Sequence, residues 1–290
     1  LFDVDRSCIL DPLTQPLPFT PFKDFTGRSI NEINLYSTEM SSALCSIDRV
    51  SASANMNNRL SEAIVEAYKS TNGAPISFEL MLKCYQSRMK DANNDDSISS
   101  VLKQLVNAHI FESEDKVSLI DDSYIIKMDG YPKDGPIAKA IVYFLMSKLN
   151  NIYELLDKQA VNDEVVQIRH FSIIDEAHYM LDFDNRPLRN LIAVGRNKGL
   201  SIILATQNMS SFKSKGFDFY ANAQYPLIMK QQTIDDKVIK DLFGVSGQEL
   251  QEIRTAIAGL QKGELIIKDQ MAFALDMGNK YKKINVTHLI

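Results

Sequence analysis

The sequence predicts an α/β fold: a mostly parallel sheet wound with helices, carrying an inserted all-α subdomain. Three observations support this. From residue 121 onward, short apolar runs alternate with amphipathic stretches, the texture of a parallel sheet. The run His170-Phe171-Ser172-Ile173-Ile174 stops at two adjacent carboxylates, Asp175 and Glu176, as a buried strand ends at the ligand edge of an open sheet. Between residues 30 and 120, apolar residues instead recur at helical spacing. The chain is therefore expected to divide into three parts: 1–29, the start of the core and a crossing segment; 30–120, the helical insert; and 121–290, the remainder of the core.

Ser7–Asp11 reads as a first strand. Four prolines within residues 12–21 then exclude helix and favour an extended segment. The interleaved Leu13, Leu17, Phe19 and Phe22 favour a packed crossing over a PxxP ligand for an SH3-type partner. In the insert, Ile33, Leu35, Met40, Ala43, Leu44 and Ile47 mark one helix, and Leu60, Ala63, Ile64, Ala67 and Tyr68 a second. Asn72-Gly73-Ala74-Pro75 stops the second, Ser77 is the N-cap of a third, and residues 91–96 are a polar break before a fourth.

Beyond 121, a strand and turn over 123–130 lead to a helix over 137–156 and the central strand over 165–174. A helix over 185–197, an apolar strand over 200–205 and a strand over 225–230 follow. Helices over 234–243 and 248–258 precede a closing hairpin of 263–268 with 271–277.

Composition bounds the function. Among 290 residues the net charge is −5, so no general basic character marks a nucleic-acid-coating protein. The three cysteines, Cys8, Cys45 and Cys84, lie far apart with no histidine at ligand spacing, which argues against a zinc site or a disulfide framework and fits a reducing, cytoplasmic compartment. No apolar run approaches a membrane span.

The chemistry concentrates at strand ends. A strand-end aspartate such as Asp175 can help hold the metal that bridges two phosphates in phosphoryl transfer. Its neighbour Glu176 can orient or deprotonate the attacking water. The plainer alternative is a solvated helix start, where acids favour the dipole. His178 has no further ligands at metal spacing and reads as a polar residue above the strand. In Gly195-Arg196-Asn197-Lys198-Gly199, Arg196 reads both as a helix C-terminal cation and as an arginine finger. Thr206-Gln207 ends the next strand; Thr206 or Asn208 can cap a helix, and Gln207 can sense a γ-phosphate.

A strand ending in Asp-Glu, then Gly-Arg-x-x-Gly, then an apolar strand ending in Thr-Gln resembles the HerA/FtsK class of P-loop motors. That class includes the type IV secretion and conjugation coupling ATPases. The resemblance runs from about 121 to 277, more weakly over most of the chain, and within the class it is to the HerA-like ATPases of phosphorothioation-dependent DNA restriction. It implies a RecA-like core, ATP and Mg²⁺ as cofactors, and hexameric rings that thread DNA. By this resemblance Asp175 acts on Mg²⁺, Glu176 is the catalytic glutamate, Gln207 the sensor, and Arg196 a finger that reaches a neighbouring subunit's site.

One motif of the class is absent. No G-x-x-x-x-G-K-[ST] occurs, and Gly27-Arg28-Ser29 does not replace it. The expectation is the C-terminal part of an ATP-driven DNA translocase or helicase, starting just after that loop and inactive alone. Two alternatives stand beside it: a non-catalytic ATPase-like module contributing assembly or a trans arginine, and, suggested by Asp-Glu-Ala-His, a two-domain DEAH-type helicase.

Overall fold

Capping residues and buried stripes set the helical half of the chain. The computed structural model describes residues 9–47, 52–90, 95–162, 165–207, 209–214, 217–223, 225–269 and 280–286. These fall into two compact units: one takes the described residues of Phe2–Ser172 and Asp182–Ile203, the other those of Ile173–Leu181 and Leu204–Ile290.

In the first unit, strand β1 (Ile9–Leu10) pairs in parallel with β2 (Ile125–Ile126), Ile9 opposite Ile125. Between them run α1 (Ile30–Ile47), α2 (Ala54–Ser70), α3 (Phe78–Gln86) and α4 (Ser97–Ala108). Ser53 and Ser77 cap α2 and α3 by accepting from the backbone amides of Met56 and Leu80. Asp96 starts α4 in a reciprocal capping box with Ser99. The predicted polar break at residues 91–94 and the strand start at Ser7-Cys8 lie outside the described residues. The Pro-rich segment is packed at three of the four apolar residues expected to be buried: Leu17, Phe19 and Phe22 are buried, as is Phe25 beyond them, whereas Leu13 is 58 % exposed. The Phe22 ring meets Phe78 of α3 edge-on at 4.9 Å. Burial leaves Leu17, Phe19 and Phe22 no face for an SH3-type partner.

Helix α5 (Pro136–Leu155) opens with proline at its first turn, where no amide is needed, and buries nearly its whole first half. Two short strands follow, β3 (Val161–Asn162) and β4 (Val165–Val166), paired antiparallel. The single strand expected over 165–174 is therefore two: β4 turns back on β3, and only β5 (His170–Ile174) continues toward the acids. After α6 (Arg186–Val194) and a 3-10 turn over Gly195–Lys198 comes β6 (Leu200–Leu204), β5's neighbour. The division between the two units falls within β5 and β6.

The expectation of a fully buried β5 needs correction. Phe171 is 57 % and Ile173 66 % exposed. The strand alternates exposed and half-buried residues: among the described residues β6 is its one sheet neighbour and no element covers the Phe171 face.

Gly199, between the 3-10 turn and β6, sits at φ +82°, and a Cβ there would lie 2.7 Å from the Gln167 carbonyl oxygen. Gly199→Ala is expected to destabilise the protein by about 1–3 kcal/mol, read as a lowered urea midpoint at unchanged m-value.

The second unit holds β7 (Lys213–Ser214) and β8 (Phe217–Asp218), an antiparallel pair, then α7 (Phe219–Asn222). After β9 (Leu227–Met229) come α8 (Asp236–Phe243) and α9 (Gly247–Ala258), then β10 (Glu264–Lys268) and β11 (Tyr281–Asn285). Its core joins Ile228 and Ile266 of the sheet to Val238, Ile239, Phe243 and Ile253 of α8 and α9. The Asp235 carboxylate caps α8, and Gly244 ends it at φ +64°.

Strand order here is β11-β10-β9, and both pairings are antiparallel. A mostly parallel sheet is thus not what the described residues form. Their parallel strand pairs are β1–β2 and β5–β6, with one isolated parallel bridge between Leu17 and Phe111, and their largest sheet is antiparallel. The predicted hairpin partner over 271–277 lies outside the described residues, and the strand that pairs with β10 is β11.

Candidate functional site

Two strand ends meet at one edge in the second unit. The Ala205 amide donates to the Ile174 carbonyl at 2.9 Å, and the Ala177 amide donates to the Ala205 carbonyl at 2.8 Å. At the other end the His170 amide donates to the Gly199 carbonyl at 3.2 Å, so β5 and β6 run parallel and both carboxyl ends face the same way. Half-burial pushes the His170 imidazole pKa down.

The chain leaves β5 through a tight turn. Asp175 is exposed, and its Oδ1 accepts from the Glu176 amide at 2.9 Å. Glu176 itself adopts the left-handed region, φ +51° and ψ +39°, uncommon for a residue with a Cβ. The turn swings its carboxylate towards β6. Gln207 Nε2 donates to Glu176 Oε1 at 2.5 Å. His178 Nδ1 lies 3.4 Å from Glu176 Oε2 and 3.2 Å from Thr206 Oγ1. Its ring lies against that of Tyr179, with centroids 4.1 Å apart.

The sequence-predicted residues divide accordingly. Glu176 and Gln207 are brought together, and Asp175 precedes Glu176 in the chain, its carboxylate turned to the Glu176 amide. Arg196 belongs to the first unit, where it is exposed in the 3-10 turn, and its guanidinium has no partner among the described residues. Its neighbour Lys198 closes the end of α5, donating to the carbonyls of Tyr153 at 2.5 Å and Glu154 at 3.1 Å. His178 and Thr206, read from sequence as a polar bystander and a helix cap, belong to the Glu176 cluster. Their letters carried a signal only in hindsight of β5–β6 pairing, because 28 residues separate them.

Among the described residues no group of three or more His, Cys, Asp or Glu side chains could hold a metal ion. One exposed carboxylate suits Mg²⁺, which is commonly bound by one or two carboxylates, with phosphates and water completing its shell. Asp175 offers Oδ2 for this, since Oδ1 serves the backbone. Cys45 and Cys84 are free thiols, and burial pushes Cys45 up to about 12, so neither supplies a thiolate. No described helix is long and apolar enough to cross a membrane.

No family model matches the chain, and no curated protein sequence matches it. Solved structures do. VirB4 of Thermoanaerobacter pseudethanolicus superposes with a TM-score of 0.65 at 16% identity, over 97% of this chain and 76% of that one. The bacterial conjugative coupling protein TrwB, in a sulphate complex, gives 0.57 at 13% identity, over 99% of this chain and 75% of that one. TrwB with the non-hydrolysable ATP analogue ADPNP gives 0.54 at 14% identity over 96% and 73%, and with ADP and Mg²⁺ 0.52 at 13% identity over 96% and 73%. At these identities the likeness is one of fold, and the chain shares the fold of VirB4 and TrwB.

Proposed function

We propose that the chain supplies the acid and sensor side of an ATP-hydrolysing site in a ring-forming motor that moves DNA. The observation that carries this reading is the Gln207–Glu176 contact at the shared carboxyl edge of two parallel strands. The fold shared with TrwB, solved with ADPNP and with ADP and Mg²⁺, supports nucleotide as the ligand. Glu176 takes the proton of the attacking water and fixes its direction. Gln207, already hydrogen-bonded to Glu176, reports the γ-phosphate to it. Arg196 offers its unengaged guanidinium to the site of a neighbouring subunit, where it stabilises charge on the transferred phosphoryl oxygens. Mg²⁺, when bound, would neutralise phosphate charge, with Asp175 as its protein ligand.

Within the class, the narrower proposal is the resemblance of the sequence as a whole to DptH, the HerA-like ATPase of phosphorothioation-dependent DNA restriction; the solved structures support the shared fold. On that reading the motor is a cytoplasmic hexamer, a translocase or helicase that works with other restriction subunits.

The 290 residues contain no G-x-x-x-x-G-K-[ST], so no backbone cradle for the β- and γ-phosphates comes from them. Phosphate release from ATP by this chain alone is expected to stay at background. Release that disappears in the Glu176→Gln chain would sink the half-site reading. Release that persists equally in both marks a contaminant and leaves the expectation met.

A further inference from the structure

The site described above contains one side chain to which neither fold nor sequence motif gives a role. His178 sits in the turn after β5, and its Nδ1 faces two oxygens at once: Glu176 Oε2 at 3.4 Å and Thr206 Oγ1 at 3.2 Å. We propose that His178 is a positioning residue for Glu176: its Nδ1 carries a proton directed at the carboxylate, so that His178 and Gln207 hold the acid from opposite sides.

Electrostatics selects the tautomer. A bare Nδ1 lone pair 3.4 Å from an ionised carboxylate oxygen would face like charge, whereas Nδ1–H turns the same approach into an attraction. Thr206 does not decide the matter, because a hydroxyl can accept from Nδ1–H or donate to bare Nδ1. The carboxylate breaks that symmetry. With Oε1 held by the Gln207 amide at 2.5 Å and Oε2 facing Nδ1, both ends of the planar group are fixed. That fixes its rotamer, which the left-handed backbone at φ +51° alone leaves free. The Tyr179 ring, 4.1 Å from the imidazole, limits rotation of His178.

This inference rests on the catalytic reading of Glu176, and its test separates the two. The chain has four histidines, so nitrogen-15 spectra of the imidazoles are simple, and a His178→Ala chain identifies the resonance. In its neutral form, His178 is expected to show a protonated Nδ1 and a bare Nε2. In Glu176→Ala that preference should relax towards an Nε2–H mixture, while Thr206→Val should keep it. A bare Nδ1 in the parent chain, or a tautomer indifferent to Glu176→Ala, overturns the proposal and leaves the nucleotide reading standing.

In a protein that joins this chain to a phosphate-cradling loop, His178→Ala should lower kcat roughly 10-fold at unchanged KM. His178→Asn, whose amide nitrogen stands where Nδ1 stood, should restore most of it. Equal loss in the Ala and Asn variants, or unchanged kcat in His178→Ala, also overturns the proposal. Full turnover in Glu176→Gln instead strikes the catalytic reading and leaves the tautomer result untouched.

Discussion

Glu176→Gln, made in a protein that joins this chain to a phosphate-cradling loop, is expected to lower ATP turnover by about 10²–10⁴-fold while leaving nucleotide affinity near its starting value. The substitution is nearly isosteric. A glutamine carbonyl can still accept from Gln207 Nε2, so the contact that orients the side chain survives. The amide cannot take the water's proton, and its nitrogen, standing where Oε2 stood, turns a donor towards His178 Nδ1, which the neutral ring accommodates by carrying its proton on Nε2. Binding energy comes from groups that meet the nucleotide phosphates, and the exposed Asp175 is unchanged. Fluorescent-nucleotide titration beside a phosphate-release assay separates the two quantities. A variant that hydrolyses at the parent rate removes Glu176 from the catalytic role.

Arg196→Ala should be as damaging, by about 10³–10⁵-fold for an arginine that stabilises transferred phosphoryl charge. The local structure is suited to presenting it. The 3-10 turn is held at one end by Gly199 in the left-handed region and beside it by Lys198 fastened to the carbonyls that end α5. Between these anchors the Arg196 side chain is exposed and has no ionic partner among the described residues. An arginine acting across a subunit boundary has a further consequence. Mixing Arg196→Ala subunits, which keep Glu176, with Glu176→Gln subunits, which keep Arg196, should restore turnover at boundaries that pair the intact acid with the intact arginine. Titrating one variant into the other measures this. No recovery at any ratio would place the arginine in its own subunit's site, and near-normal turnover of Arg196→Ala alone would deny it any catalytic part.

Much of the helical architecture was legible because its cause is local. Leu60, Ala63, Ile64, Ala67 and Tyr68 fall on one buried stripe, and Ser77 caps α3, as spacing and side-chain chemistry require. The strand-end positions of Asp175, Glu176 and Gln207 were legible for a similar reason: apolar runs ending in polar residues mark strand ends.

The misses have non-local causes. β11 reads Tyr-Lys-Lys-Ile-Asn, mostly exposed and with two charged residues, because among the described residues it is an edge strand protected by lysines rather than by burial. Lys282 reaches Asp269 at 2.7 Å and Lys283 reaches Glu264 at 2.7 Å, so its pairing rests on ion pairs and backbone bonds that an apolar pattern does not reveal. β5 looks buried from its letters, and only the sheet order reveals that Phe171 and Ile173 face outward. His178 acquires its neighbours only once β6 lies beside β5.

The left-handed backbone at Glu176 sets stability against chemistry at a single position. Glycine or asparagine adopts that conformation at less cost, and a residue with an ordinary side chain there costs roughly 1–2 kcal/mol. A selection that rewards only folded yield would therefore drift away from the acid. In a variant library screened for solubility, Glu176→Gly and Glu176→Asn are expected to be enriched, and on the proposed reading each such gain removes the carboxylate the chemistry needs.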